Sequence, residues 1–187
     1  MGANIKKVVN PAHNEEYAML VSIPDGVSLT RNLTLASASL TRPADTATYA
    51  AGDVVGTGPA TNLTFNNVQP AGSGFIILGA RLRKDSATIP SGMMGFRVHL
   101  YSSAPTAIID NAPYNLPVAD RARYLGHITL SVTRDLGDTI FIQEDNINFS
   151  SQLATGSTTL HGILETIGTY QPTASSVITI SLSIAGI

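Results

Sequence analysis

The chain contains no cysteine and no tryptophan. Without cysteine it cannot form a disulfide, a zinc–cysteine site or a thiol nucleophile. Charged residues are also scarce, at 13% of the chain, which is about half of the usual share. Ser, Thr, Asn and Gln must therefore supply most of the polar surface, a composition that suits β-rich proteins and proteins that bury surface in assemblies.

Positive charge is especially scarce, because the only lysines are Lys6, Lys7 and Lys84 and the net charge is -2. A broad attraction to phosphate backbones needs a basic surface. We therefore expect neither nucleic acid nor a membrane as a partner. No apolar run approaches the 18 residues or so that span a bilayer, and no apolar signal segment follows Met1. We expect a protein made in a cytoplasm.

Residues that carry chemistry do not occur at the spacings that catalysis or metal binding requires. A metal site on one strand needs two histidines at i and i+2, and the histidines at 13, 99, 127 and 161 have no such neighbour. The sequence predicts histidines at the surface or at an interface. The polar run 144–146 is either a solvated loop or a site for a cation such as Ca²⁺, which prefers oxygen ligands. We expect no catalytic residue, no metal and no cofactor, and so a protein that is not an enzyme.

Short alternating segments separated by turn signals dominate from residue 28 onward, and no segment has a sustained helical period. The pattern predicts eight to ten antiparallel strands in a jelly-roll or β-sandwich barrel. The predicted strands are 28–41, 63–65, 75–83, 95–101, 124–132, 139–143, 159–170 and 176–184, and a tight turn into a further short strand is predicted at 51–56.

The alternation also predicts which side chains share a face. Along 95–101 it places Phe96, Val98 and Leu100 inward, and Arg97, His99 and Tyr101 outward. Along 75–83 it places Ile76, Leu78, Ala80 and Leu82 on one face. Along 176–184 it places Ile178, Ile180, Leu182 and Ile184 on one face.

Two segments depart from this pattern. Residues 1–27 form an N-terminal arm with one possible strand near 17–23, and the arm is either disordered or docked on a neighbouring subunit. Residues 103–123, called the excursion below, contain Pro105, Pro113 and Pro117, and a short helical turn at 120–123 is predicted with Asp120 as its N-cap. The prolines stiffen the excursion, which predicts either a loop presented to a partner or a rigid loop without one.

Three segments in order resemble a family of structural proteins of tailed bacteriophages and prophages. They are TRPADTATYAAGDVVG at 41–56, FRVHLYSSAPT at 96–106 and LHGIL at 160–164, the last followed by a Tyr-Gln-Pro-Thr stretch at 170–173. The resemblance covers residues 28–187 and leaves the arm outside. The family is similar to capsid decoration, or cement, proteins with a jelly-roll fold, which commonly bind the outside of the head as trimers.

The resemblance implies a virion protein that binds the major capsid protein, associates with itself as a homotrimer and stabilises the head by bridging capsid subunits. It implies a location on the capsid surface. An alternative is a tail, baseplate or head-fibre module that contacts the host surface. The arm and the excursion are the candidate contact segments. The candidate contact residues are Ile5, Val8, Tyr17, Leu20, Pro105, Ile108, Pro113 and Tyr114.

Overall fold

The computed structural model of the chain describes residues 33–131 and 134–187. These residues form ten strands and one short 3-10 turn, Val118–Asp120. The strands are β1 (Leu33–Thr41), β2 (Val54–Val55), β3 (Leu63–Phe65), β4 (Gly74–Asp85), β5 (Gly95–Tyr101), β6 (Tyr124–Ser131), β7 (Arg134–Asp135), β8 (Thr139–Gln152), β9 (Leu160–Thr166) and β10 (Val177–Gly186). In this part of the chain, no helix is long and apolar enough to cross a membrane.

Some predictions fall outside the described residues. They are the arm at 1–27, its possible strand near 17–23, the first residues of the strand at 28–41, Val132, and the candidate contact residues Ile5, Val8, Tyr17 and Leu20.

The strands form two antiparallel sheets with nested pairing. Sheet 1 has the order β1-β10-β4-β8-β7, and sheet 2 has the order β2-β9-β5-β6, with β3 also pairing with β9. Strand β1 therefore pairs with β10, and both β2 and β3 pair with β9. Strand β4 pairs with β8, and β5 pairs with β6. This nesting is the jelly-roll topology. The predicted fold class is confirmed.

The core lies between the inner faces of the two sheets. On β10, four fully buried side chains alternate with half-exposed Ser and Thr, as the sequence predicts. They are Ile178, Ile180, Leu182 and Ile184. On β5, Phe96, Val98 and Leu100 are buried in the same cluster. Burial of each such side chain stabilises the fold by roughly 1.5–3 kcal/mol, so this alternation fixes the register of both strands.

A β-bulge interrupts the alternation of β4. The prediction puts Ile76 and Leu82 on one face, but Ile77 and Leu82 are the residues that are fully buried. Where β4 pairs with β10, Leu78 is an extra residue between the pairs Ile77–Ile184 and Gly79–Ser183, and it reverses the faces of everything that follows on β4. The predicted single face is therefore wrong for the first half of β4 and right for the second.

Strand β8 is much longer than predicted. It runs from Thr139 to Gln152, so the polar run 144–146 lies within a strand and not in a loop. Asn146 and Asn148 have positive φ angles of 59° and 53°, which asparagine tolerates better than most residues. These two residues take up the irregular pairing opposite the bulge of β4.

Candidate functional site: the excursion over sheet 2

The excursion connects β5 to β6 and packs on the outer face of sheet 2. There it covers a second, smaller hydrophobic cluster whose buried members are Val54, Tyr101 and Ile163. Half-buried apolar side chains pack against this cluster, namely Ile108, Tyr114, Leu116 and Tyr124. This part of the outer face of sheet 2 is therefore an interior surface.

Backbone hydrogen bonds attach the excursion to the segment that contains β2. Asn111 N donates to Val54 O at 2.9 Å, and Val54 N donates to Ala112 O at 2.8 Å. Tyr114 N donates to Gly52 O at 2.8 Å. Gly52 has a φ of 93°, a left-handed conformation that favours glycine. The excursion thus pairs along the outer edge of β2 and protects it from pairing with another chain.

The carboxylate of Asp110 is a second attachment. It accepts hydrogen bonds from Tyr49 Oη at 2.5 Å and from Gly56 N at 2.8 Å. Its Oδ2 also lies 3.4 Å from Nη2 of the fully buried guanidinium of Arg42. That guanidinium stacks on the ring of Tyr49. Burial and the hydrogen bond to Asp110 raise the pKa of Tyr49 well above its ordinary value, so Tyr49 remains a donor.

A buried polar cluster lies beneath the middle of the excursion. His99 Nε2 is 2.5 Å from Glu165 Oε2, and Arg97 Nη1 is 2.9 Å from Glu165 Oε1. His99 Nδ1 is 3.2 Å from Tyr124 Oη. Burial lowers the pKa of His99, and the nearby carboxylate of Glu165 opposes this effect only in part. The predicted surface or interface position of this histidine is wrong, because the excursion covers it.

The predicted role of Asp120 as an N-cap is wrong. Asp120 ends the turn Val118–Asp120 and does not cap the start of a helical turn at 120–123. Its buried carboxylate instead accepts a hydrogen bond from Thr106 N at 2.9 Å. The two ends of the excursion are thereby joined to each other.

The four candidate contact residues of the excursion occupy different environments. Pro105 is buried, Ile108 and Tyr114 are half-buried against sheet 2, and Pro113 is exposed. Their contact with a partner remains a prediction. The sequence reasoning missed two apolar side chains with larger exposed fractions, Ile109 at 58% and Val118 at 75%.

Two further exposed apolar side chains lie on sheet 1. Leu33 and Leu35 of β1 are mainly exposed, on the opposite face from the buried Ala36 and Ala38. Within residues 33–131 and 134–187, β1 pairs only with β10 and forms an edge of its sheet. The described part of the chain holds no group of three or more His, Cys, Asp or Glu that could bind a metal ion.

No family model and no curated protein matches the chain. Among solved structures it is similar to the K3 adhesin domain of Lys-gingipain from Porphyromonas gingivalis, with 12% identity over 80% of this chain and 73% of that chain, and a TM-score of 0.30. It is also similar to a chain in a structure of sacbrood virus of honeybee, with 11% identity over 98% of this chain and 78% of that chain, and a TM-score of 0.32. A third similar chain comes from desmodium yellow mottle tymovirus, with 10% identity over 91% of this chain and 95% of that chain, and a TM-score of 0.26. These values are too low to transfer a function.

Proposed function

We propose that the chain is a structural protein of a bacteriophage virion that binds the outer surface of the head and bridges subunits of the major capsid protein. The observation that carries this proposal is the excursion, which is fixed to its own domain by backbone and carboxylate contacts while Ile109 and Val118 remain exposed. The resemblance of residues 28–187 to structural proteins of tailed phages supports the assignment.

A rigid loop is suited to binding a partner. Association is weakened when loops must be ordered at the interface, and a loop that is already held in place avoids most of this cost. Exposed apolar side chains that cluster on one element mark interaction surfaces more often than scattered ones do. The excursion combines a fixed backbone with two exposed apolar side chains, and residues 103–123 contain no lysine.

The proposed mechanism is mechanical. Each copy joins neighbouring capsid subunits, and a standard interface of roughly 1,600 Å² per contact would be repeated many times over a shell. We further propose that the protein binds as a homotrimer and that residues 1–27 form an arm contributing to these contacts. Sedimentation equilibrium of the purified full chain tests the trimer, and a monomer at the concentration used for binding would exclude it.

The test of head binding mixes the purified full chain with undecorated phage heads and measures co-sedimentation. We expect binding that saturates, and we expect the double variant Ile109→Ser, Val118→Ser to bind at least tenfold more weakly. Leu136→Ser is the matched control, because Leu136 is 55% exposed but lies in the turn between β7 and β8, away from the excursion.

Absence of binding to heads would contradict the proposal, as would equal loss of binding in the control variant. A cryo-EM map of the virion then separates the two locations. Density for the jelly roll on the capsid surface supports decoration. Density on the tail, baseplate or a head fibre supports the alternative, a module that contacts the host.

A further inference from the structure

The charged groups of the excursion are divided between the interior and the surface. Its two carboxylates, those of Asp110 and Asp120, are buried and accept hydrogen bonds from within the domain. Its two guanidinium groups, those of Arg121 and Arg123, reach the surface. Residues 103–123 include no other charged residue, so the exposed charge of the excursion is entirely positive on a chain whose net charge is -2.

The two arginines differ in their surroundings. Arg123 is half-buried, its Nη1 donates to Ala104 O at 2.5 Å, and its Nε lies 3.5 Å from Asp120 Oδ1. Arg121 is exposed, and within residues 33–131 and 134–187 it forms no ion pair. Arg123 therefore holds the two ends of the excursion together, whereas Arg121 is available to a partner.

Local backbone geometry places Arg121 next to the exposed side chain of Val118. Arg121 N donates to Val118 O at 3.4 Å, at the end of the 3-10 turn Val118–Asp120. Side chains three residues apart in such a turn lie on the same side of it. Val118, at 75%, has the largest exposed fraction among the exposed large hydrophobic side chains of the described residues. The turn therefore presents an apolar group and a cation together.

The turn is held in place by the domain itself. Asp120 accepts a hydrogen bond from Thr106 N at 2.9 Å through its carboxylate and one from Arg123 N at 3.1 Å through its carbonyl. A group that is already ordered loses little conformational freedom on binding. A rigid, apolar and locally positive surface fits a partner with an apolar depression and a carboxylate at its rim. Nucleic acid fits less well, because its binding needs several cations along a phosphate backbone.

We propose that the turn at 117–123 is the recognition element of the excursion, with Val118 entering an apolar depression of the major capsid protein and Arg121 pairing with a carboxylate at its rim. This inference rests on the proposed function and adds the chemistry of the partner surface. The planar guanidinium of arginine matches a carboxylate with two parallel hydrogen bonds.

Complementary charge also orients the encounter of the two proteins. The two Asp and the two Arg of the excursion sum to zero, so the rest of the chain carries the net charge of -2. An acidic patch on the capsid therefore attracts the turn and weakly repels the remainder of the protein.

The test measures co-sedimentation of the purified full chain with undecorated phage heads as NaCl rises from about 50 mM to about 500 mM, over which exposed charges become strongly screened. We expect Arg121→Gln to bind about fivefold or more weakly than the wild type at the lowest salt and to approach it at the highest. Arg134→Gln is the matched control, because it removes the same charge from an exposed arginine of β7 that has no ion pair in the described part of the chain. It should bind like the wild type throughout.

Failure of the wild type to bind heads would overturn this inference together with the proposed function. Binding by the wild type with no loss in Arg121→Gln, or with an equal loss in Arg134→Gln, would overturn the inference alone. A second copy of the chain is the other possible occupant, and sedimentation equilibrium of Arg121→Gln without heads tests it. We expect an unchanged oligomeric state, and a change would place Arg121 between copies and not on the capsid.

Discussion

The imidazole of His99 and the phenol of Tyr114 lie face to face, with ring centroids 3.7 Å apart and planes 13° from parallel. His99 belongs to β5, whereas Tyr114 belongs to the excursion, so this pair joins the excursion to the sheet beneath it. Tyr114 Oη also lies 2.7 Å from Tyr101 Oη. The excursion is thus held by side chains at its middle as well as by the backbone contacts along β2.

Replacing Tyr114 tests this attachment. Tyr114→Ala should lower the free energy of unfolding by about 2 kcal/mol, because a half-buried aromatic ring and its packing are lost. It should also speed amide hydrogen exchange at Asn111 and Val54, whose amides bond across the excursion. Tyr114→Phe is the control, since it keeps the stack and loses only the hydroxyl. Urea unfolding and exchange measured by NMR check both, and unchanged exchange in Tyr114→Ala would contradict the role of the stack.

The stability of the domain should fall as the pH drops below 6.5. Burial lowers the pKa of His99 below its ordinary value of 6.5, so the unfolded chain takes up a proton before the folded one does. The contribution of this group is therefore fully present above pH 6.5 and is lost as the pH falls toward the folded pKa. Urea unfolding between pH 7.5 and 5.5 should show a smaller pH slope in His99→Gln.

Asp110 should be far more important for stability than Asp45, although both carboxylates face Arg42. Asp110→Asn leaves the fully buried guanidinium without its buried anion, and we expect a loss of about 3 kcal/mol. Asp45 is 51% exposed and 3.5 Å from the same guanidinium, so Asp45→Asn should cost less than about 1 kcal/mol. Urea midpoints of the two variants test the difference. Equal losses would show that burial does not determine the strength of these contacts.

Alkaline pH should stabilise the domain through Lys84. Its pKa of about 8 lies below the ordinary 10.5, so between these values the unfolded chain holds more protons and stability rises with pH. Unfolding measured at pH 7.5, 8.5 and 9.5 should show this rise. Lys84→Met should be more stable than the wild type at pH 7.5 by about 1–4 kcal/mol and should lack the rise. A parallel pH dependence of the two proteins would contradict the unpaired charge.

The sequence predicts the strands whose buried side chains alternate without interruption. In β10, isoleucine and leucine alternate with small hydroxyl residues, and this pattern admits a single register. In β4 and β8 the same reasoning fails, because a bulge reverses the faces of β4 at Gly79 and polar residues continue β8 through Asn146 and Asn148. Bulges depend on both partner strands, and the alternation within one segment does not contain that information.

The excursion is predictable from its prolines, but the groups beneath it are not. His99 and Glu165 are 66 residues apart, and they meet because β5 and β9 are neighbours in sheet 2. The available signal was the row of polar and aromatic side chains on the outer side of β5. Without knowledge of the path of the excursion, the pattern predicts that this row is exposed to solvent. The burial of Lys84 is indicated in a similar way, because Lys84 follows Ala80 and Leu82 at the same two-residue spacing.

The pairing of β1 with β10 has a consequence for the synthesis of this protein. Ser37 and Ser181, whose hydroxyls lie 2.8 Å apart, are separated by 144 residues in the chain. While the ribosome is still making the middle of the domain, β1 has no strand to pair with on the side that β10 will occupy. Topologies with such distant contacts fold slowly. The final strand therefore controls when sheet 1 closes, and chains truncated before β10 would present unpaired, aggregation-prone strands to the cell.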